Sequence, residues 1–306
     1  MKSSYSDFEA VGFSLTAFTA WVLADSTIKL VGHSNLPASE VVGFLGFFMV
    51  VFLLLHGLWR NKVSLLWPIW PKRQFVRSCL DLINCLCVVV AIRHLPLTLF
   101  YILVFMSPMV TAILAAWFLH EHLDWRKSLA IVAGFAGVVV AVDPFGSARQ
   151  GDWIGFAACM VCVCCFSVNM VWSRTMTQTE KPESLVFFSG LLMAAYGFGC
   201  MIWQVEPVTI RLTAAFVAMG FFCTVGNICF FVALKHTSAA NVSQYHYTQL
   251  ITGALIAYLF WHEVPTISML AGGILIVGSG LYIAVEAAQK RVDAGSISPL
   301  VDEQTQ

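Results

Sequence analysis

Apolar runs of roughly 20 residues recur along almost the whole chain, and they constrain its fold more than any other feature. A helix rises about 1.5 Å per residue, so about 20 residues cross a hydrocarbon core ~30 Å thick. Inside that core every backbone N–H and C=O must be paired within the protein, which leaves helices or closed barrels. The runs are continuously apolar and lack the alternation of barrel strands. The expected fold class is therefore an all-α integral membrane protein of ten transmembrane helices. The expected spans are 11–31, 39–58, 75–94, 97–119, 127–143, 153–173, 184–204, 212–234, 239–261 and 266–288. Short connections carry the breakers Pro37, Pro68, Pro71, Pro96, Pro144, Pro182, Pro207 and Pro265. The first run contains Asp25 and Lys29, unlike the uncharged core of a signal peptide, and is expected to be retained.

Composition narrows the function. Of the 306 residues 59% are hydrophobic and 11% charged, against about 25% charged in a soluble domain. Seventeen basic residues balance seventeen acidic ones, which excludes a broad basic surface for nucleic acid. Ten cysteines lie almost entirely in apolar runs, where a thiol acts as a small hydrophobe. The densest group, Cys162, Cys164 and Cys165, has no second pair at zinc-site spacing, so no metal site is expected. No GxxxxGK[ST] loop occurs, and no cofactor motif is expected.

Charge also orients the chain. With both termini on the cytoplasmic side, Lys29, Arg93, Arg149 and Arg211 fall outside, and the other thirteen of the 17 Lys and Arg fall inside. The expected location is a plasma membrane, the inner membrane in a bacterium. The polar stretch 289–306 becomes a cytoplasmic tail.

Two stretches repeat. AIRHLPLTLFYILVFMSPMVTAILAAWFLHE, Ala91 to Glu121, matches ALKHTSAANVSQYHYTQLITGALIAYLFWHE, Ala233 to Glu263, at an offset of 142. Glycine-rich runs, AGFAGVVVA and AGGILIVGSG, follow both. The expected organisation is a first five-helix repeat over 11–145 and a second over 150–288. Five spans are odd in number, so the copies are expected to be inverted, a recurring design of secondary transporters.

These same residues resemble the drug/metabolite transporter superfamily in its ten-helix, two-repeat (EamA-type) form. The resemblance rests on LPLTLFYILVFMSP with LHE, on GFAGVVV and Pro144, and on TSAANVSQYHYTQLITGALIAYLFWHEVP, and it covers about residues 11–288. LADSTIKLVG followed by LPASEVV is similar to one bacterial branch with a small acidic residue four before a lysine. That branch has an arginine early in its second helix, and VVGFLGFFMV has none. The resemblance implies carriage of a small organic molecule. It leaves export of amino acids or metallophores beside import of cofactors such as riboflavin or S-adenosylmethionine.

Ionisable side chains inside a membrane are costly and usually have a partner or a task. Asp25 and Lys29, four apart on one helix face, read either as cavity-lining groups or as a structural ion pair. Arg77 and Asp81 share that spacing, with Asn84 nearly a turn on; Arg77 reads as an interfacial headgroup anchor and Asp81 as a deeper coupling group or its partner. The ninth span carries Tyr245, His246, Tyr247 and Gln249, a polar aromatic run suited to stacking and hydrogen bonding with an amphiphilic substrate. Tyr101 lies on the matching fourth span, and Asn169 and Trp172 near the end of the sixth. Glu121 and Glu263, each after a histidine, read as helix-end or gate residues; the spacing is not that of HExxH.

The expected function is secondary active transport of a small organic metabolite, with export favoured, the bilayer as environment and protons as candidate coupling ion. An intramembrane enzyme needs paired catalytic groups at one depth, and no such motif is visible. A channel or structural partner is the remaining class, and a homodimer is left open.

Overall fold

The computed structural model describes residues 2–32, 36–107, 109–110, 113–114, 125–143, 152–202, 209–237, 242, 245–282 and 285. Among them the regular structure is helical, with no strand. The α-helices, in chain order, are α1 Lys2–Gly32, α2 Ala38–Trp59, α3 Pro71–His94, α4 Leu97–Val104, α5 Trp125–Val142, α6 Trp153–Met176, α7 Pro182–Met201, α8 Ile210–His236, α9 Thr248–Trp261 and α10 Ile267–Tyr282. Within α1, α2, α3, α6, α7 and α8 lie six segments long and apolar enough to cross a membrane. This is a multi-pass membrane protein.

Local chemistry explains the helix boundaries. Pro71 and Pro182 occupy first turns, where a missing N–H leaves nothing unpaired. Asp152 caps α6 by accepting from Gly155 N at 3.0 Å, and Thr209 caps α8 by accepting from Leu212 N at 3.4 Å. Exposed indoles of Trp59, Trp67, Trp70, Trp125 and Trp153 stand at or beyond helix ends, where amphipathic rings suit the membrane–water interface.

Two expected spans are interrupted. The fourth stops at Val104, and Met106 N turns back onto Leu103 O at 3.0 Å. The ninth, expected as one helix over 239–261, instead has a 3-10 turn at Tyr245–Tyr247 before α9 begins. Hydroxyls mark both breaks: Ser107 bonds Val104 O at 2.5 Å, and Thr248 bonds Tyr245 O at 2.7 Å. Such bonds compete with the backbone ladder and favour a local break. Residues 108, 111–112 and 115–119 of the fourth expected span, and 239–241 and 243–244 of the ninth, lie outside the described residues.

Packing runs across the sequence rather than along it. The most extensive helix contacts pair α1 with α8, α2 with α7, and α3 with α6, while α4 packs on α9. The α2–α7 pair approaches closely. A Cβ on Gly46 would lie 2.5 Å from Gly190 O, and Gly43 and Gly197 touch backbone to backbone. Small residues allow this approach, and dispersion then replaces a hydrophobic drive that lipid does not supply.

Candidate functional site

A cavity of about 150 Å³ lies at the centre of these helix pairs. Helix α1 supplies Trp21, Asp25 and Ile28; α3 supplies Asp81 and Asn84; α4 supplies Phe100 and Tyr101. Phe166 and Asn169 come from α6, Ser189 from α7, Phe230 and Asn227 from α8, and His246 and Gln249 from the second break and the start of α9.

Asp25 faces this space. Its Oδ2 accepts from the Tyr101 hydroxyl at 3.0 Å, and no other protein donor reaches it among the described residues. Tyr101 is fixed by packing: it is 1% exposed, and a Cβ on Gly253 would run into its ring. The phenol is thus held on α4 by α9 and offered to α1.

Asp81 is engaged from three helices. Arg77 Nη1 donates to Oδ2 at 2.8 Å, Ser189 Oγ donates to the same oxygen at 2.6 Å, and Asn169 Nδ2 donates to Oδ1. Arg77 is fully buried and also donates to Leu185 O at 2.6 Å, with its guanidinium 5.2 Å from the Phe231 ring centre. The expectation of an interfacial Arg77 is corrected: Asp81, a backbone carbonyl and an aromatic face satisfy its charge within the protein.

Of the two readings of Asp25 and Lys29, the ion pair between them is not formed. Lys29 pairs instead with Glu263, whose Oε2 also accepts from Leu97 N at 3.0 Å. The ammonium lies 5.1 Å from the Trp261 ring centre. Glu263 therefore ties together the end of α1, the start of α4 and the segment after α9. Glu121 lies outside the described residues.

The polar aromatic run divides. His246 stacks on Phe18 with ring centres 4.8 Å apart, near Phe105 and Phe166. Gln249 Nε2 donates to Phe18 O at 3.3 Å. Tyr247 packs against Phe105 at 5.2 Å, and Tyr245 and Trp172 pack onto the hydrophobic core, all three outside the cavity wall. Since Phe105 terminates α4, the two helix breaks touch one another beside the cavity.

Sequence reasoning missed Trp21, Phe100, Phe166 and Phe230, whose apolar character is indistinguishable from that of lipid-facing residues. Nor did it place Ser189, one of many small residues on α7, or the isolated Asn227 of α8 on the cavity wall. The signal available was position: Trp21 lies four residues before Asp25, on the same helix face.

A sequence model described as the EamA-like transporter family matches residues 9–142 and again 153–285. The chain is 24% identical to an S-adenosylmethionine uptake transporter of Rickettsia bellii, over 89% of this chain and 92% of that protein. It is 27% identical to the pseudopaline exporter CntI of Pseudomonas aeruginosa (86% and 91% covered), and 24% identical to a riboflavin transporter of Rhizobium johnstonii (89% and 87%). A solved crystal structure shares the fold with a TM-score of 0.65 at 21% identity, covering 92% of this chain and 98% of that one. A cavity enclosed by apolar helices, and a family match over nearly the whole length, lead to one statement: this chain belongs to the EamA-like transporter family.

Proposed function

We propose that the protein is a secondary active transporter that moves a small organic metabolite out of the cell by alternating access. The observation that carries this reading is the central cavity with side-chain ties on both flanks. Lys29 and Glu263 join α1 to the segment after α9, and Asp81 joins α3 to α6 and α7. Each tie links the first half of the chain to the second, so each is a closure that rocking of the halves can make or break.

The five-helix repeats at 11–145 and 150–288 belong to this reading. Support comes from the 142-residue offset, the double family match, and the contacts. If α6 repeats α1 and α8 repeats α3, the α1–α8 and α3–α6 contacts are two copies of one packing. The helix breaks at Phe105 and Tyr247 are also 142 apart. Discontinuous helices at a repeat interface are where transporters hold their cargo. Ten spans, cytoplasmic termini and protons as coupling ion complete the proposal. Glu121, at the position matching Glu263, is assigned to the opposite closure on sequence alone.

The reverse direction, import of a cofactor-like metabolite, is the second reading, and relatives named for uptake of S-adenosylmethionine speak for it. Right-side-out and inverted membrane vesicles, each under an imposed pH gradient, separate the two. Saturable accumulation in inverted vesicles alone supports export, and in right-side-out vesicles alone supports import. Flux proportional to concentration without saturation overturns the carrier reading in favour of a channel.

A further inference from the structure

Resting on that reading, the geometry points to a cargo class: an organic cation bearing N–H donors, such as a primary ammonium, carried on an aromatic or apolar body and seated at Asp25. Two carboxylates line the cavity, and they differ in how they are answered. Asp81 has the Arg77 guanidinium at 2.8 Å plus two neutral donors. Asp25 has a single neutral phenol. The lysine one turn away is committed elsewhere, to Glu263. Asp25 therefore faces the cavity without a cationic side chain of its own among the described residues. A carboxylate removed from water takes up a proton or meets a counter-charge, and a cationic cargo supplies the second.

A second observation points the same way. Asn84 lines the cavity, and its buried Oδ1 accepts no hydrogen bond from the described residues. A buried acceptor left unpaired costs about 1–3 kcal/mol, which a ligand N–H recovers. Both vacancies in the wall thus ask for donors, and one asks for positive charge as well. The rest of the wall mixes aliphatic and amide side chains with the aromatic rings of Trp21, Phe100, Phe166 and Phe230. Such faces attract a cation through their quadrupoles and take up an apolar body by stacking. A carboxylate on the cargo meets no lysine or arginine among the described lining residues, and the nearby Arg77 is held by Asp81, Leu185 O and Ser189. The site therefore favours an amine over the corresponding amino acid, acid or alcohol.

The test uses full-length protein and four probes of one shape: 2-phenylethylamine, its N,N,N-trimethyl derivative, 2-phenylethanol and 3-phenylpropionate. Calorimetry in detergent measures binding, and counterflow in proteoliposomes measures exchange. The expected order is primary amine first, the quaternary ion weaker for want of N–H, then alcohol, then acid. D25N is expected to weaken the amine at least about tenfold, with little effect on the alcohol. D25E is expected to restore part of the loss, and N84L to weaken the primary amine more than the quaternary ion. Equal binding of amine and alcohol, preference for the acid, or no amine binding at millimolar concentration overturns the proposal. So does a D25N protein that binds amine as before but no longer responds to a pH gradient, since Asp25 then serves the coupling proton alone. The parent reading fails separately: amine that binds but does not exchange in counterflow refutes transport of this class while leaving the binding result intact.

Discussion

Lys29 passes over Asp25, one turn away on its own helix, and pairs with Glu263, 234 residues further along the chain. The choice leaves Asp25 facing the cavity with Tyr101 as its one hydrogen-bond donor among the described residues. It also makes Glu263 the shared acceptor for a lysine and for the first N–H of α4. If this tie is one closure of the transport cycle, E263Q weakens it without removing bulk. Exchange in proteoliposomes is expected to fall about tenfold, equivalent to ~1.4 kcal/mol. The swap K29E with E263K is expected to recover part of the rate. A swap no better than either single change refutes a direct role for the pair.

Arg77 is buried with Asp81 as its charged partner. Removing one member of such a pair strands the other, at about 3–5 kcal/mol. D81N should therefore lower the melting temperature in detergent more than S189A, which removes hydrogen bonds to the Asp81 carboxylate and the Arg77 guanidinium but leaves their ion pair in place. Similar shifts for the two variants contradict the arrangement.

The α2–α7 contact has no room for side chains at Gly43, Gly46 or Gly197. G46L or G197V is expected to destabilise by about 2–3 kcal/mol through overpacking. G12L, at an exposed site where an added Cβ meets nothing within 4 Å, is the control. Size-exclusion profiles and thermal melts read the difference, and tolerance of G46L equal to that of G12L disproves the close approach.

Asp152 caps α6 outside the membrane-spanning segments. Its carboxyl is held below the usual carboxylate range, first by the Gly155 N–H and further by His94 Nδ1 at 2.8 Å. A folded-state value below the unfolded one adds stability that is present above the unfolded pKa of about 4 and lost as pH falls through the lowered folded value. Melting temperature should decline below about pH 4, and less steeply in D152N. Parallel pH profiles for the two proteins count against the cap.

The breaks in α4 and α9 show where the sequence was readable and where it was not. The spans ending at Trp59, His94 and His236 were fixed by apolar length and by Pro or polar punctuation, and the helices end within two residues of the expected limits. The run from Asn241 to Gln249 announced unusual chemistry through its composition. It did not say that Tyr245 and Tyr247 turn toward the core while His246 and Gln249 reach the cavity. A single 3-10 turn redirects side chains by tens of degrees, and single-helix periodicity cannot anticipate that.

The amino-acid sequence by itself determined that this chain lives in a membrane as helices. Hydrocarbon length and backbone hydrogen bonding leave no other solution for its apolar runs. It also determined the family resemblance and the candidate ionisable residues, because charge in such runs stands out. The tertiary structure alone decided how those residues are paired. Asp25, Lys29, Arg77 and Asp81 present two equivalent four-residue spacings, yet only Arg77 and Asp81 join. Coulomb attraction depends on distance in space, and in the folded chain Glu263 comes to Lys29 while Tyr101 comes to Asp25.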